Sequence, residues 1–120
     1  MLNQVIVTGG SGFIGSHLVD KLVNKGIKVL VIDNLSSGNF KNLSKQKKKI
    51  RFKKVDIANY ISLKKIFEKN KIDCIFHLAG KADIVPSINN PKLYFDTNVT
   101  GTLNLLTLAK QYKVKKFIYT

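Results

Sequence analysis

Apolar residues come in blocks along this chain, and the blocks alternate between two spacings. Gln4–Thr8 is a short apolar run followed at once by glycines, the pattern of a strand buried on both faces. From Gly12 to Lys25 the apolar positions fall at Ile14, Leu18 and Leu22, with Val19 and Val23 beside them. That spacing is one stripe of a helix, and Gly26 is placed to end it. Ile27–Asp33 predicts a second strand. Residues 34–46 are polar around Ser36, Ser37 and Gly38 and predict a loop with room for one short helix. Ile50–Asp56 predicts a third strand. Asn59 can cap a following helix whose apolar face is Leu63, Ile66 and Phe67. Asp73–Ala79 predicts a fourth strand and Gly80–Asn90 a loop. Asn90 and Pro91 suit the cap and first position of a last helix, in which Val99, Leu103, Leu106, Leu105, Leu108 and Tyr112 form a broad apolar face. Lys116–Thr120 predicts a fifth strand.

Strands that alternate with helices imply a parallel sheet with right-handed crossovers. The expectation is one α/β domain over residues 1–120, doubly wound, with strand order 3-2-1-4-5. The order reverses between strands 1 and 4, so a ligand crevice is expected at their carboxyl ends. A chain of 120 residues can bury roughly two-thirds of its unfolded surface. A hydrophobic content of 44% agrees with a globular chain. No apolar run nears the ~18–20 residues of a membrane span, and Met1-Leu2-Asn3-Gln4 leads into a strand without a signal segment. Cys74, the single cysteine, sits in an apolar run and reads as a small buried hydrophobe. These features suit the reducing cytoplasm and no membrane.

The net charge of +14 raises the question of nucleic acid. The excess is almost all lysine, with Arg51 the one arginine, and arginine is the better residue for bidentate phosphate or base recognition. The chain is also rich in Asn and Ile, which together with Lys indicates compositional bias. The dense stretch Lys45–Lys54 therefore reads as a solvated loop and a charged edge strand, where lysine discourages edge-to-edge pairing. No nucleic-acid partner is expected.

Chemistry concentrates in one place. Gly10-x-Gly12-x-x-Gly15 directly follows a predicted strand and opens a predicted helix, and Asp33 ends the next strand 18 positions after Gly15. That is the full context of a dinucleotide-binding fingerprint. Glycine permits the turn and lets the backbone approach a pyrophosphate, while Gly15 lets the helix pack close on the sheet. Free N–H groups near Gly12, Phe13 and Ile14 would face the anion, with the helix dipole behind them. Asp33 is placed to accept from the ribose hydroxyls of the adenosine half. Asp56, at the same sheet edge, can accept from the adenine amino group or partner the helix that follows. His17 and His77 read as packing and core histidines, and with Cys74 they are too scattered for a metal site.

Thr8-Gly9-Gly10-Ser11-Gly12-Phe13-Ile14-Gly15 resembles the TGxxGxxG turn of the extended short-chain dehydrogenase/reductase family, which includes the NAD-dependent nucleotide-sugar epimerases and dehydratases. The likeness continues through Asp33–Gly38, Asp56-Ile57, His77-Leu78-Ala79-Gly80 and Asn98-Val99-Thr100-Gly101-Thr102, and so spans the chain. It implies a Rossmann-type sheet and NAD as cofactor. It implies Gly9, Gly12, Phe13, Ile14 and Gly15 along the pyrophosphate, and Asp33, Asn34, Ser37 and Gly38 around the adenosine ribose. Asp56 and Ile57 would meet the adenine; Leu78, Ala79 and Gly80 would pass under the nicotinamide ribose, and Asn98 would bond near the nicotinamide end. Lys81-Ala82-Asp83-Ile84-Val85-Pro86-Ser87 most resembles the UDP-hexose 4-epimerase branch, where Ser87 would lie near the sugar. Lys81 does not align with the family's usual lysine and is not assigned as a ligand.

The resemblance also implies a nucleotide-sugar substrate, a homodimer for the complete enzyme, and transient hydride transfer from a sugar carbon to NAD. Its catalytic Ser or Thr follows strand 5, and its Tyr-x-x-x-Lys lies on the next helix; neither falls within these residues. Tyr60…Lys64 begins the helix after strand 3 and Tyr112…Lys116 enters strand 5, so neither suits that role. The expectation is an inactive N-terminal portion of such an enzyme, with no catalytic residue of its own. The alternative is a stand-alone NAD-binding or sensing module.

Overall fold

The computed structural model describes all 120 residues. Five parallel strands form one sheet in the order β3-β2-β1-β4-β5. They are β1 (Gln4–Thr8), β2 (Lys28–Asp33), β3 (Ile50–Lys54), β4 (Cys74–His77) and β5 (Lys116–Tyr119). The helices are α1 (Phe13–Asn24), α2 (Tyr60–Lys69), α3 (Ile84–Asn89), α4 (Pro91–Phe95) and α5 (Gly101–Gln111). A 3-10 helix spans Phe40–Gln46, and a π-helical turn, Asp96–Thr100, joins α4 to α5.

The sheet is covered on both faces, so its central strands are apolar throughout. Val5, Val7, Val29, Val31 and Cys74 point to the α1 side, where they meet Val19, Leu22 and Leu43. Ile6, Leu30, Ile32 and Ile75 point to the other side and meet Leu63, Ile66 and Phe67 of α2 with Leu105 and Leu108 of α5. Phe67 is 2% exposed, and burial of a side chain of that size is worth roughly 1.5–3 kcal/mol. Asn59 caps α2 by accepting from the Ser62 amide at 3.1 Å. Burial pushes the Cys74 thiol pKa up, so it is an inert filler. β3 is an edge strand, and Arg51, Lys53 and Lys54 are exposed on it, as the lysine-rich stretch predicted. No helix is long and apolar enough to cross a membrane.

Two expectations need correction. The segment 80–90 is not all loop, because Ile84–Asn89 is helical. Pro86 falls in its first turn, where a missing N–H costs nothing, and none of its residues is buried to give a periodic signal. The last helix is not one element with one broad buried face. Leu105 and Leu108 are fully buried, but Val99, Leu103 and Leu106 are 50%, 60% and 45% exposed on a second stripe.

Candidate functional site

Loops from the carboxyl ends of four strands enclose a cavity of about 360 Å³ over the point where the strand order reverses. Fourteen of the fifteen predicted site residues line it: Gly9, Gly12, Phe13, Ile14, Gly15, Asp33, Asn34, Ser37, Gly38, Asp56, Ile57, Leu78, Ala79 and Gly80. Asn98 is the exception. Ile32, Ser36, Val55, Lys81, Thr97 and Thr120 also line it.

The glycines of the turn do different work. Gly9 has φ +69°, and a Cβ there would lie 2.8 Å from the Ala79 amide nitrogen. A Cβ on Gly15 would overlap the Gly9 carbonyl oxygen and come 2.8 Å from the Gly10 Cα. Both positions need glycine for the fold. Gly12 has φ −76° and ψ 179°, a conformation open to any residue. A Cβ on Gly12 would meet only the Gly9 oxygen, at 3.3 Å, and Gly12 borders the cavity. Glycine at position 12 is therefore explained by room in the cavity, not by the chain's own packing.

The free amides of the turn differ by one position from the sequence reading. The Gly12 amide is taken, donating to the Gly9 carbonyl at 3.1 Å. The amides of Phe13, Ile14 and Gly15 have no acceptor within the protein. These are the orphan donors of the α1 N-terminus, which also carries the positive end of the helix dipole.

Ser11, unremarked in the sequence, is the hub of the turn. It is fully buried. Its amide (3.1 Å) and hydroxyl (2.5 Å) both donate to Asp33 Oδ2. Its carbonyl accepts from the Asn39 amide at 3.1 Å and Asn42 Nδ2 at 2.8 Å. Gly38 packs so tightly on Ser11 that a Cβ would collide with it. Asp33 thus ties the glycine turn to the loop after β2. Its Oδ1 accepts from the Leu35 amide at 2.8 Å and holds Leu35 at φ +61°, a left-handed conformation that costs roughly 1–2 kcal/mol outside glycine. Three donors fill most of the carboxylate's approximately four acceptor positions, and the rest of its acceptor capacity is left at the cavity. Asp56 lines the cavity; its Oδ1 accepts from the Ala58 amide at 2.8 Å just before the α2 cap, and its Oδ2 lies 3.4 Å from Asn34 Nδ2.

Under the other half of the cavity lies a buried relay. The Thr8 hydroxyl accepts from the Leu78 and Ala79 amides, both at 3.2 Å. Its own proton must then go to His77 Nδ1, 2.7 Å away. That makes Nε2 the protonated nitrogen, donating to the Thr102 hydroxyl of α5 at 2.7 Å. His77 is 2% exposed, and burial lowers its pKa to about 4. It is a hydrogen-bonded core histidine that sets the backbone of Leu78 and Ala79.

The relay has a consequence in acid. The unfolded chain binds a proton on His77 near pH 6.5 and the folded chain only near 4. Stability should therefore be full above pH 6.5 and fall as the pH drops toward 4, by at most about 3 kcal/mol from this group. Urea unfolding of the wild type and His77→Asn at pH 7 and pH 4.5 checks this. A smaller pH difference in the variant is expected; an equal one would show that His77 is not the source.

Asn98 does not line the cavity itself but clamps the backbone of Lys81, which does. The Lys81 amide donates to Asn98 Oδ1 and Asn98 Nδ2 donates to the Lys81 carbonyl, both at 2.8 Å. Asn98 and the buried Thr97 sit on the π-helical turn, an element that recurs at functional sites. Tyr60 and Tyr112 lie outside the cavity; Tyr112 packs on Phe67.

Comparison with known proteins agrees with this geometry. The sequence model of the GDP-mannose 4,6 dehydratase family matches residues 6–120. A curated UDP-glucuronate 4-epimerase from Thermodesulfobacterium geofontis is 42% identical over 98% of this chain and 38% of its own length. The crystal structure of UDP-glucose 4-epimerase from Thermotoga maritima with UDP-glucose superposes with a TM-score of 0.91 at 41% identity, over 97% of this chain and 37% of that one. That of the Thermus thermophilus enzyme in complex with NAD gives a TM-score of 0.86 at 38% identity, over 95% and 36%. The chain thus spans little more than a third of the length of these relatives.

Proposed function

We propose a function from one premise: the chain belongs to the GDP-mannose 4,6 dehydratase family. Its cavity binds NAD, and the polypeptide is the cofactor-binding part of a nucleotide-sugar epimerase or dehydratase. A UDP-hexose 4-epimerase is the favoured form, since the relatives above are UDP-sugar 4-epimerases. The carrying observation is Gly12, whose missing side chain leaves space beside three unpaired amides.

The residues present fit a dinucleotide. The Phe13, Ile14 and Gly15 amides hold the diphosphate at the α1 N-terminus. Asp33 accepts from the adenosine ribose, beside Asn34, Ser37 and Gly38, while Asp56 and Ile57 border the adenine. Leu78, Ala79 and Gly80, set by the Thr8–His77–Thr102 relay, form the floor under the nicotinamide ribose. NAD, when bound, supplies the acceptor and donor of a hydride. The only titratable side chains along the cavity are Asp33, Asp56 and Lys81, and none is a phenol that can take a sugar's hydroxyl proton. A polypeptide of these residues binds cofactor without turning over a nucleotide sugar.

NAD should bind more tightly than NADP. A 2′-phosphate about 4 Å from the Asp33 carboxylate costs roughly 1 kcal/mol in water and about 4 kcal/mol at an effective dielectric of 20. That corresponds to roughly five-fold to several-hundred-fold discrimination. Calorimetric titration with both dinucleotides tests the reading; equal or tighter NADP binding would sink it.

A further inference from the structure

We propose that Lys81 is a cationic strap across the cavity, whose amine leaves Ser36 to pair with the diphosphate of the bound dinucleotide. The inference rests on the NAD reading and adds a ligand that neither the fingerprint nor the family likeness supplies. Lys81 is rooted on the lip after β4, while Ser36 lies on the lip after β2, and both line the cavity. The Lys81 amine donates to the Ser36 hydroxyl at 3.3 Å, so the side chain spans the opening from one lip to the other.

Two further observations give this reach a purpose. The first is charge. The cavity is lined by two carboxylates, Asp33 and Asp56, and Lys81 is the only lysine or arginine along it. A diphosphate entering there carries two negative charges toward a lining with a formal net charge of −1. The α1 dipole offers only about half a unit of compensation. Lys81 is the one full positive charge among the lining residues, and it carries no salt bridge; the single ion pair of the molecule is Lys92–Asp96. The second is anchoring. Asn98 holds both the amide and the carbonyl of Lys81, at 2.8 Å each. The flexible side chain therefore starts from a fixed point, which lowers the ordering cost of binding.

Position selects the diphosphate over the rest of the ligand. The adenosine half lies along the β2 loop and the other half over the β4 floor, and the diphosphate joins them in front of α1. A side chain that starts on one lip and ends on the other crosses that join. Exchange of a neutral hydroxyl partner for an anion strengthens the bond, since charge-assisted hydrogen bonds are roughly twice as strong as neutral ones.

The test compares the wild-type chain with Lys81→Met and Lys81→Arg. NAD affinity is read by calorimetry, and adenosine, which has no phosphate, by NMR titration. Lys81→Met should bind NAD about ten-fold more weakly while adenosine affinity stays within about two-fold, and Lys81→Arg should recover most of the loss. Added salt should weaken NAD binding more in the wild type than in Lys81→Met. NAD affinity unchanged in Lys81→Met, or a parallel loss of adenosine, would overturn the strap while leaving the NAD site standing. A wild-type chain that fails to bind NAD would instead overturn the reading on which it rests.

Discussion

Gly12→Val is expected to weaken NAD binding by on the order of a hundred-fold or more, about 2.7 kcal/mol, in a chain that stays folded. The prediction follows from the contrast among the turn's glycines. Position 12 has ordinary backbone angles, so valine strains nothing there. Its Cβ meets a single oxygen at 3.3 Å, a contact that a shift of a few tenths of an ångström relieves. The two methyls then have only the cavity to occupy, beside the unpaired Phe13, Ile14 and Gly15 amides. Gly12 is also the cap of α1, and a β-branched residue caps poorly, which costs stability on the order of 1 kcal/mol. Circular dichroism and urea unfolding should therefore show a native chain with a slightly lower midpoint, and calorimetry should show the loss of NAD. A folded variant that binds NAD as before would mean that the turn does not hold the cofactor.

Gly15→Val should do the opposite and fail in folding. The added Cβ runs into the Gly9 carbonyl oxygen and approaches the Gly10 Cα, and neither is the end of a flexible side chain that can swing aside. Helix α1 must move off β1, which opens the packing of Val19 and Leu22 on Val5, Val7 and Val31. Overpacking of this kind costs about 3 kcal/mol or more, a large part of the roughly 5–15 kcal/mol that holds a domain together. The measurement is the urea midpoint of Gly15→Val beside that of Gly12→Val. Equal midpoints would contradict the division between a glycine kept for the fold and one kept for the site.

Part of that division was legible in the sequence, which placed Gly15 where the helix packs on the sheet. Strand order, crevice and fingerprint were readable because each rests on local pattern: apolar runs, helical spacing, glycines between a strand and a helix. Gly15 was expected at the contact of helix and sheet, but the need for glycine at position 9 was not legible, since the atoms opposing it belong to Leu78 and Ala79, just after β4. Ser11 looked like a spacer because its partners, Asp33, Asn39 and Asn42, come from the end of β2 and the segment that follows it. The clamp of Asn98 on the backbone of Lys81, seventeen residues earlier, was not legible either, because the motif says nothing of what lies opposite. The exposed stripe of Val99, Leu103 and Leu106 followed helical spacing as well as the buried one did. Spacing identifies a face and leaves open what covers it.

The position of β1 also governs how the molecule can be made. β1 is the first strand in the chain and the middle strand of the sheet. Its β2 edge is satisfied early, by Lys28–Ile32, but its other edge pairs with Cys74–His77, and the Asn3 and Gln4 amides wait for Asp73. A ribosome adding ~5–20 residues per second needs roughly 2–9 seconds to pass from one partner to the other. Through that interval the nascent chain carries the apolar edge of Val5, Ile6 and Val7 without a mate. Parallel pairing across such a distance is slow to close, so this half-built sheet is the stage at which a chaperone has the most to shield.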